Sequence, residues 1–302
     1  MNSLSKRQAW LYAFRLRTLP LAFSSIITGS FIAWHQHFSW AVLALAILTT
    51  LLLQVLSNLA NDYGDSEKGT DNDDRIGPRR AVQAGLLSFA EIRSGIILCS
   101  ILCVVSGLSL IFVSLRDQAA VALVFLCLGL AAIAAAIKYT VGTGAYGYYG
   151  MGDIFVLLFF GLVGVCGSYY LQAHEFHRSV LLAGIAVGCF STGVLNLNNM
   201  RDRTGDQKAG KNTVVVMMGA HNAKIYHTLL LTIGWIAIIS FAVMRPHTSL
   251  SFLFVLTAPL FWRNIFAVWK VREPKDFDPF LRQLAISTFL FSVFFAAGQA
   301  LG

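Results

Sequence analysis

Long stretches without charge recur from one end of this chain to the other, and nothing else in it limits the fold so strongly. Between Trp40 and Leu59 there is no charged residue at all. A helix of about 20 apolar residues crosses the hydrocarbon core of a bilayer. In lipid the backbone polar groups must be satisfied within such a segment. Runs near 19–36, 40–61, 93–115, 119–138, 153–172, 180–199, 225–243, 249–269 and 282–300 predict about nine transmembrane helices. Only 13% of the 302 residues are charged and 56% are hydrophobic, whereas a soluble domain is roughly one-quarter charged. The fold class expected is an all-α integral membrane protein, with residues 1–302 as a single transmembrane domain. The first run, after Arg17, reads as a span rather than a cleaved leader. It has Pro20 near its start and is full length.

The basic residues orient these spans. With the N-terminus inside, all but three of the 23 Lys and Arg residues, namely Arg116, Arg178 and Arg245, fall on the inner side. The net charge of +8 therefore follows membrane topology, and a nucleic-acid partner is excluded. The five cysteines all lie in apolar spans without a CxxC pair and read as buried thiols.

Two polar segments break the apolar text, NLANDYGDSEKGTDNDDRIGPRR (58–80) and NLNNMRDRTGDQKAGKNT (196–213). Both fall at the inner ends of even-numbered spans. Each has an Asn, an Asp four residues on, and a further Asp after three or four more. On a helix, Asn58, Asp62 and Asp65 project within a ~60° arc, and Asn198, Asp202 and Asp206 within ~80°. Like charges so placed repel, and Asp is unfavourable at a helix C-terminus. A cation relieves both costs. Oxygen-only donors of this kind suit Mg²⁺, which keeps waters and bridges carboxylates to substrate phosphates. Lys68, Arg75, Arg79 and Arg80 follow the first set, and Arg201, Arg203, Lys208 and Lys211 surround the second. Carboxylates that take Mg²⁺, beside Lys and Arg, suit a polyphosphate. The bland alternative is that these are ordinary positive-inside loop charges. The segments RRAVQAGLLSFAEI and KNTVVVMMGAHNAKI that follow are read as surface lids over the polar site or as ragged starts of the next spans.

The paired acidic motifs resemble those of the UbiA superfamily of intramembrane prenyltransferases. The KGTDN and GKNT wording, with KYTVGTGAYGYYGMGDIFVLLFFG (138–161), is most similar to the branch that prenylates 1,4-dihydroxy-2-naphthoate for menaquinone synthesis. The resemblance implies about nine helices around a central cavity open to lipid, in a bacterial plasma or inner membrane, with a cytoplasmic N-terminus. It implies two Mg²⁺ ions as cofactor, a polyprenyl diphosphate donor, and an aromatic acceptor that loses CO₂. Carried over by position, Asn58, Asp62, Asp65, Asp202 and Asp206 hold metal, with Asn198 as a neighbour. Lys68, Arg75, Arg79, Arg201 and Lys211 face the diphosphate. Gly69 stands where many relatives carry an acidic residue, and Asp71 is its candidate substitute. In the glycine-rich stretch, Tyr139, Tyr146 and Tyr148 either offer ring faces to acceptor and cation or form an interfacial belt. Lys138 either pairs with an anion or snorkels.

Three rival readings are weighed. A sister prenyltransferase would act on 4-hydroxybenzoate, homogentisate or haem. A CDP-alcohol transferase would carry a DGxxAR run, which is absent. An ion-coupled transporter would place its ionisable groups near the bilayer midplane, not at the inner ends of spans.

Overall fold

In the computed structural model, residues 5–71, 76–245 and 248–302 are described. They are helical or in turns, with no β-strand among them. A short helix α1 (Lys6–Phe14) begins at a capping box in which Ser5 and Gln8 satisfy each other's backbone N–H. The chain then reverses at Arg15, enters α2 (Leu19–Ile32), and continues through α3 (Trp40–Glu67), α4 (Phe89–Leu115) and α5 (Ala119–Lys138). A loop at 139–151 leads into a single rod over Gly152–Ala173. This rod comprises α6 (Gly152–Val156), a π-helical stretch Leu157–Cys166 and α7 (Gly167–Ala173). Next come α8 (Val180–Lys208), α9 (Val214–Met244), α10 (Ala258–Lys270) and α11 (Asp278–Leu301). Side-chain caps from Ser39, Ser88 and Thr213 start α3, α4 and α9.

Among the described residues, eight helices are long and apolar enough to cross a membrane. The ninth expected span is α2. Its 14 residues reach only about 21 Å at 1.5 Å per residue. It begins late because the chain turns at Arg15–Thr18, and Ala33 closes it. Much of α2 is buried, with Ser24, Ser25, Thr28 and Ser30 inside the protein. It packs on α3, α8, α11 and the π-helical rod.

The lipid-facing sides are evident from their side chains. Ile97, Leu98, Ile101, Val105 and Phe112 of α4 and Leu123, Val124 and Leu130 of α5 are exposed. α8 is the opposite, buried along most of its apolar length. Phe190 of α8 centres an aromatic core, with ring centroids 4.6 Å from Phe261, 5.4 Å from Phe291 and 6.0 Å from Trp235. At Gly161 a Cβ would come within 2.7 Å of the Gly188 Cα, so the rod and α8 touch backbone to backbone. α9 is broken at Gly219, where φ is +80°. The segment 211–225, expected as a lid or the start of a span, thus forms a turn of helix at 214–218 and then continues into the long part of α9. The other such segment is a series of turns at 81–87.

Candidate active site

The C-terminal ends of α3 and α8 and the loop at 139–151 meet over a cavity of about 480 Å³. Its polar end is lined by Asn61, Asp65, Asn198, Asn199, Asp202, Asp206, Arg80 and Lys211. From there it runs between α2, α3, α4, α5, the rod and α8, past Tyr139, Tyr146, Phe155 and Phe159, to Phe125 and Leu171.

Asp65 is the hub. Its carboxylate accepts from the Tyr148 hydroxyl at 2.9 Å and from Lys211 Nζ at 3.2 Å. Arg80 Nη2 stands 3.9 Å away and also pairs through Nε with Asp71 at 3.4 Å. Asp71 is thus the partner of a cavity-lining arginine. Lys211 is 7% exposed. Burial acts to lower its pKa, but the nearby Asp65, with Tyr139 and Asp206, outweighs that and holds it above the ordinary lysine value. Tyr139 is pushed up to about 12, chiefly by burial. The backbone N–H of Lys211 donates to Asp206 O at 2.8 Å, and that of Asn212 to Tyr148 O at 3.0 Å. Lys68 donates to the Thr140 carbonyl and lies 4.4 Å from the Tyr148 ring centroid. Desolvation lowers its pKa.

Arg201 organises the second acidic end. It grips Asp202 through Nε (2.8 Å) and Nη2 (2.7 Å), donates to Asn198 Oδ1 (2.8 Å), and pairs with Asp278 at the start of α11 (2.7 Å). A Cβ on Gly77 would fall 2.8 Å from Arg201 Nη2, so the 76–80 segment passes tightly over this cluster.

The structure separates residues that the motif spacing groups together. Asn58 and Asp62 are buried at 3% and 0% exposure and are not among the cavity-lining residues. Asp62 accepts the backbone N–H groups of Ala81 (2.9 Å) and Val82 (3.2 Å). Asn58 donates to the Phe14 carbonyl (2.9 Å) and the Thr18 hydroxyl (3.0 Å). Tyr139 and Tyr146 do line the cavity, and Tyr146 stacks on Phe155 at 3.9 Å. Tyr148 serves Asp65. Lys138 is exposed and near Gly142, away from the cavity wall. Arg79 is exposed, with its carbonyl taken by the Tyr12 hydroxyl at 2.5 Å. Arg75, like Asp73 and Asp74, lies outside the described residues. Arg15 and Asp278 were not singled out by the sequence reading. Neither stands in an acidic motif, and only the fold brings them to the site.

The donor set suits Mg²⁺. The acidic end offers carboxylates and amide oxygens; among the described residues no imidazole lines the cavity, and its one thiol, Cys103, belongs to the apolar helix α4. Among the described residues no three Asp, Glu, His or Cys side chains converge closely enough to cage a metal alone. That is the arrangement of an ion that takes one or two carboxylates and completes its shell with phosphate oxygens and water.

The UbiA prenyltransferase family model matches residues 22–295. The chain belongs to this family. It is 42% identical to the 1,4-dihydroxy-2-naphthoate octaprenyltransferase of Haemophilus influenzae over 98% of this chain and 97% of that one. It is 44% identical to the enzyme of the same name from Escherichia coli, over 98% and 96%. In fold it resembles a UbiA homologue from Aeropyrum pernix (TM-score 0.67, 14% identity, 98% of each chain). It also resembles one from Archaeoglobus fulgidus bound to DMAPP and Mg²⁺ (TM-score 0.62, 16% identity, 95% and 99%).

Proposed function

We propose that this family member transfers a polyprenyl group from polyprenyl diphosphate to 1,4-dihydroxy-2-naphthoate, releasing diphosphate and CO₂ and giving demethylmenaquinol. One observation carries the reading: an apolar cavity inside the membrane ends in a cluster of carboxylates and cations on two helix ends. Near-full-length similarity to naphthoate octaprenyltransferases supports the choice of acceptor.

Asp65, Asp202 and Asp206, with the amides of Asn61 and Asn198, would hold Mg²⁺. Bound there, the metal supplies charge that stabilises the departing diphosphate. Lys211, Arg80 and Arg201 add fixed positive charge at the same end, where little water screens it. The C–O bond of the allylic diphosphate breaks, its electron pair leaves with the diphosphate, and a cation remains on the prenyl chain. The apolar wall keeps water from that cation, which would otherwise become an alcohol. Tyr139 and Tyr146 present ring faces along its path. The acceptor ring, made electron-rich by its hydroxyls, attacks the cation through the carbon that bears the carboxylate; the bond to the carboxylate then breaks, its electron pair restores the aromatic ring, and CO₂ leaves.

The test is purified protein with Mg²⁺, a polyprenyl diphosphate and carboxyl-labelled 1,4-dihydroxy-2-naphthoate, scored by product mass and trapped CO₂. Efficient prenylation of 4-hydroxybenzoate with its carboxylate retained, and none of the naphthoate, would overturn the reading. We also place the N-terminus and both acidic ends in the cytoplasm, on the distribution of Lys and Arg. Single cysteines at Glu67 and Thr204, both exposed, in a cysteine-free background should resist an impermeant thiol reagent in intact cells. Labelling of both from outside would reverse the topology.

A further inference from the structure

Beside the start of α11 the protein carries more positive charge than the carboxylates there neutralise. Asp278 gives one oxygen to Arg201 at 2.7 Å and the other to Arg282 at 2.6 Å. Arg201 is also bound to Asp202. Arg17, in the turn ahead of α2, is close enough to feel all three of Arg201, Arg282 and Asp278. It hydrogen-bonds to and pairs with none of the described residues. Its pKa lies below the ordinary arginine value, first because the guanidinium has lost part of its water and then because Arg282 and Arg201 repel it. Arg17 and Arg282 are both exposed.

Arg282 also heads a groove between α10 and α11. Beyond it the walls are Leu260, Ile286, Ser287 and Leu290. Leu290 lies two turns past Arg282, about 12 Å along the helix axis. The two walls are locked together by Gln283. Its amide donates to the Leu260 carbonyl at 2.9 Å, and its side-chain carbonyl accepts from the buried Asn264 at 2.9 Å. None of the residues lining this groove lines the cavity. Positive charge at the head of an apolar trough is complementary to a phospholipid, with the phosphate at the arginines and a hydrocarbon chain beneath. Basic places between transmembrane helices at the membrane surface take anionic headgroups. Such a headgroup answers the unmatched charge of Arg17, whereas a zwitterionic one brings a cation of its own to the same spot.

We propose that the groove between α10 and α11 holds one anionic phospholipid, its phosphate on Arg282 and Arg17 and an acyl chain along Ile286 and Leu290. The phosphate shares Arg282 with Asp278, which keeps Arg201. The lipid therefore sits one ion pair away from Asp202 and apart from the place of the donor diphosphate.

The experiment uses full-length protein, purified in detergent and stripped of lipid, as wild type, Arg17→Gln, Arg282→Gln and the double variant. Retention of dioleoylphosphatidylglycerol and of dioleoylphosphatidylcholine is measured by native mass spectrometry. Thermal unfolding is followed with each lipid and with inorganic diphosphate. Wild type should retain one phosphatidylglycerol in preference to phosphatidylcholine. Each arginine removed should weaken that retention about fivefold, the scale of one basic residue at a charged membrane surface, and leave phosphatidylcholine unaffected. Phosphatidylglycerol should raise the melting temperature of wild type and not that of the double variant. Without lipid, Arg17→Gln should melt no lower than wild type, because it removes a repelled charge and no partner. If Arg282→Gln does not fold, Arg17→Gln alone decides. Equal retention of the two lipids by wild type, phosphatidylglycerol retention unchanged in Arg17→Gln, or a lower lipid-free melting temperature in that variant would each overturn the proposal. So would a melting shift with inorganic diphosphate as large as that with phosphatidylglycerol, which would mark a site for soluble anions. A raised KM for polyprenyl diphosphate with lipid retention intact would overturn it too, by giving the arginines to the donor. The binding readouts do not depend on which aromatic acceptor the enzyme takes.

Discussion

The ends of α3 and α8 carry nearly the same text and are built differently. In α3 the leading residues turn outward from the cavity. Asn58 ties down the N-terminal turn, Asp62 caps the backbone of 81–82, and Asp65 alone of the three reaches the cavity. In α8 all three equivalents, Asn198, Asp202 and Asp206, line the cavity, with Arg201 spread across Asn198 and Asp202. A repeated spacing therefore does not fix a repeated role. The first end has two of its polar side chains holding other segments in place, and the second presents its whole set to the cavity.

The largest difference should appear in catalysis. Asp202→Ala should lower turnover by at least about 10²–10³-fold, the scale of one lost preorganised electrostatic contact, with the fall in melting temperature limited by Asp278, which still pairs with the buried Arg201. Asp62→Ala should lower both turnover and melting temperature, because a buried amide left without its acceptor costs about 1–3 kcal/mol. Activity paired with thermal unfolding in detergent reads this. An Asp62→Ala protein as stable as wild type would make the two ends alike after all.

Arg201 and Lys211 offer a sharper contrast. Arg201 is 3% exposed and serves two carboxylates. Arg201→Ala removes the arginine that Asp202 and Asp278 share, with Asp278 keeping its pair with Arg282 at 2.6 Å, and removing one partner of a buried pair costs about 3–5 kcal/mol. Lys211→Met should cost less, since Tyr148 and Arg80 remain at Asp65. Chemical or thermal unfolding that ranks Lys211→Met as the worse of the two would contradict the hub described for Asp65.

The alkaline limit gives a smaller effect. Tyr139 has a folded pKa of about 12 against an ordinary 10. A pKa raised on folding gives stability that is fully present below pH 10 and is lost as pH rises through about 12. Lys211 is raised in the same direction, so part of the loss in that window is its own. Stability of the wild type should fall between pH 10 and 12, and Tyr139→Phe should flatten that fall. An unchanged slope would remove Tyr139 as its source. Tyr148→Phe removes the bonds of its hydroxyl to Asp65 at 2.9 Å and to Thr70 at 2.6 Å and should cost about 1–3 kcal/mol, leaving Asp202 and its partners untouched.

What could be read beforehand divides along physical lines. Apolar length is a local property, and it located eight of the nine expected spans, although the helix of α8 runs on to Lys208 and that of α9 begins at Val214. The exception was α2, shortened by a turn whose strain at Arg15, at φ 50°, no propensity foretells. Which face of α3 meets the cavity depended on the partners of Asn58 and Asp62, which lie 44 and 19 residues away in sequence. The π-helical stretch had no local signal either. Its course follows close backbone contacts, Gly161 with Gly188 and Gly29 with the Val165 carbonyl, that exist only once the helices are assembled. Lys138 looked placed for an anion because it ends a span, yet its direction is set by the loop it closes.

Three loops converge on Asp65, at 68–80, 139–151 and 209–213, and among their described residues they are linked to one another by Lys211, Tyr148 and Asn212. Fixing the backbone of one loop residue costs about 1–2 kcal/mol in conformational entropy. Were a dozen such residues ordered only by substrate, that loss would come out of the affinity. Here it falls on folding, so a ligand meets loops already in place. Its affinity should vary with temperature as the burial of apolar surface dictates, with little contribution from freezing the chain.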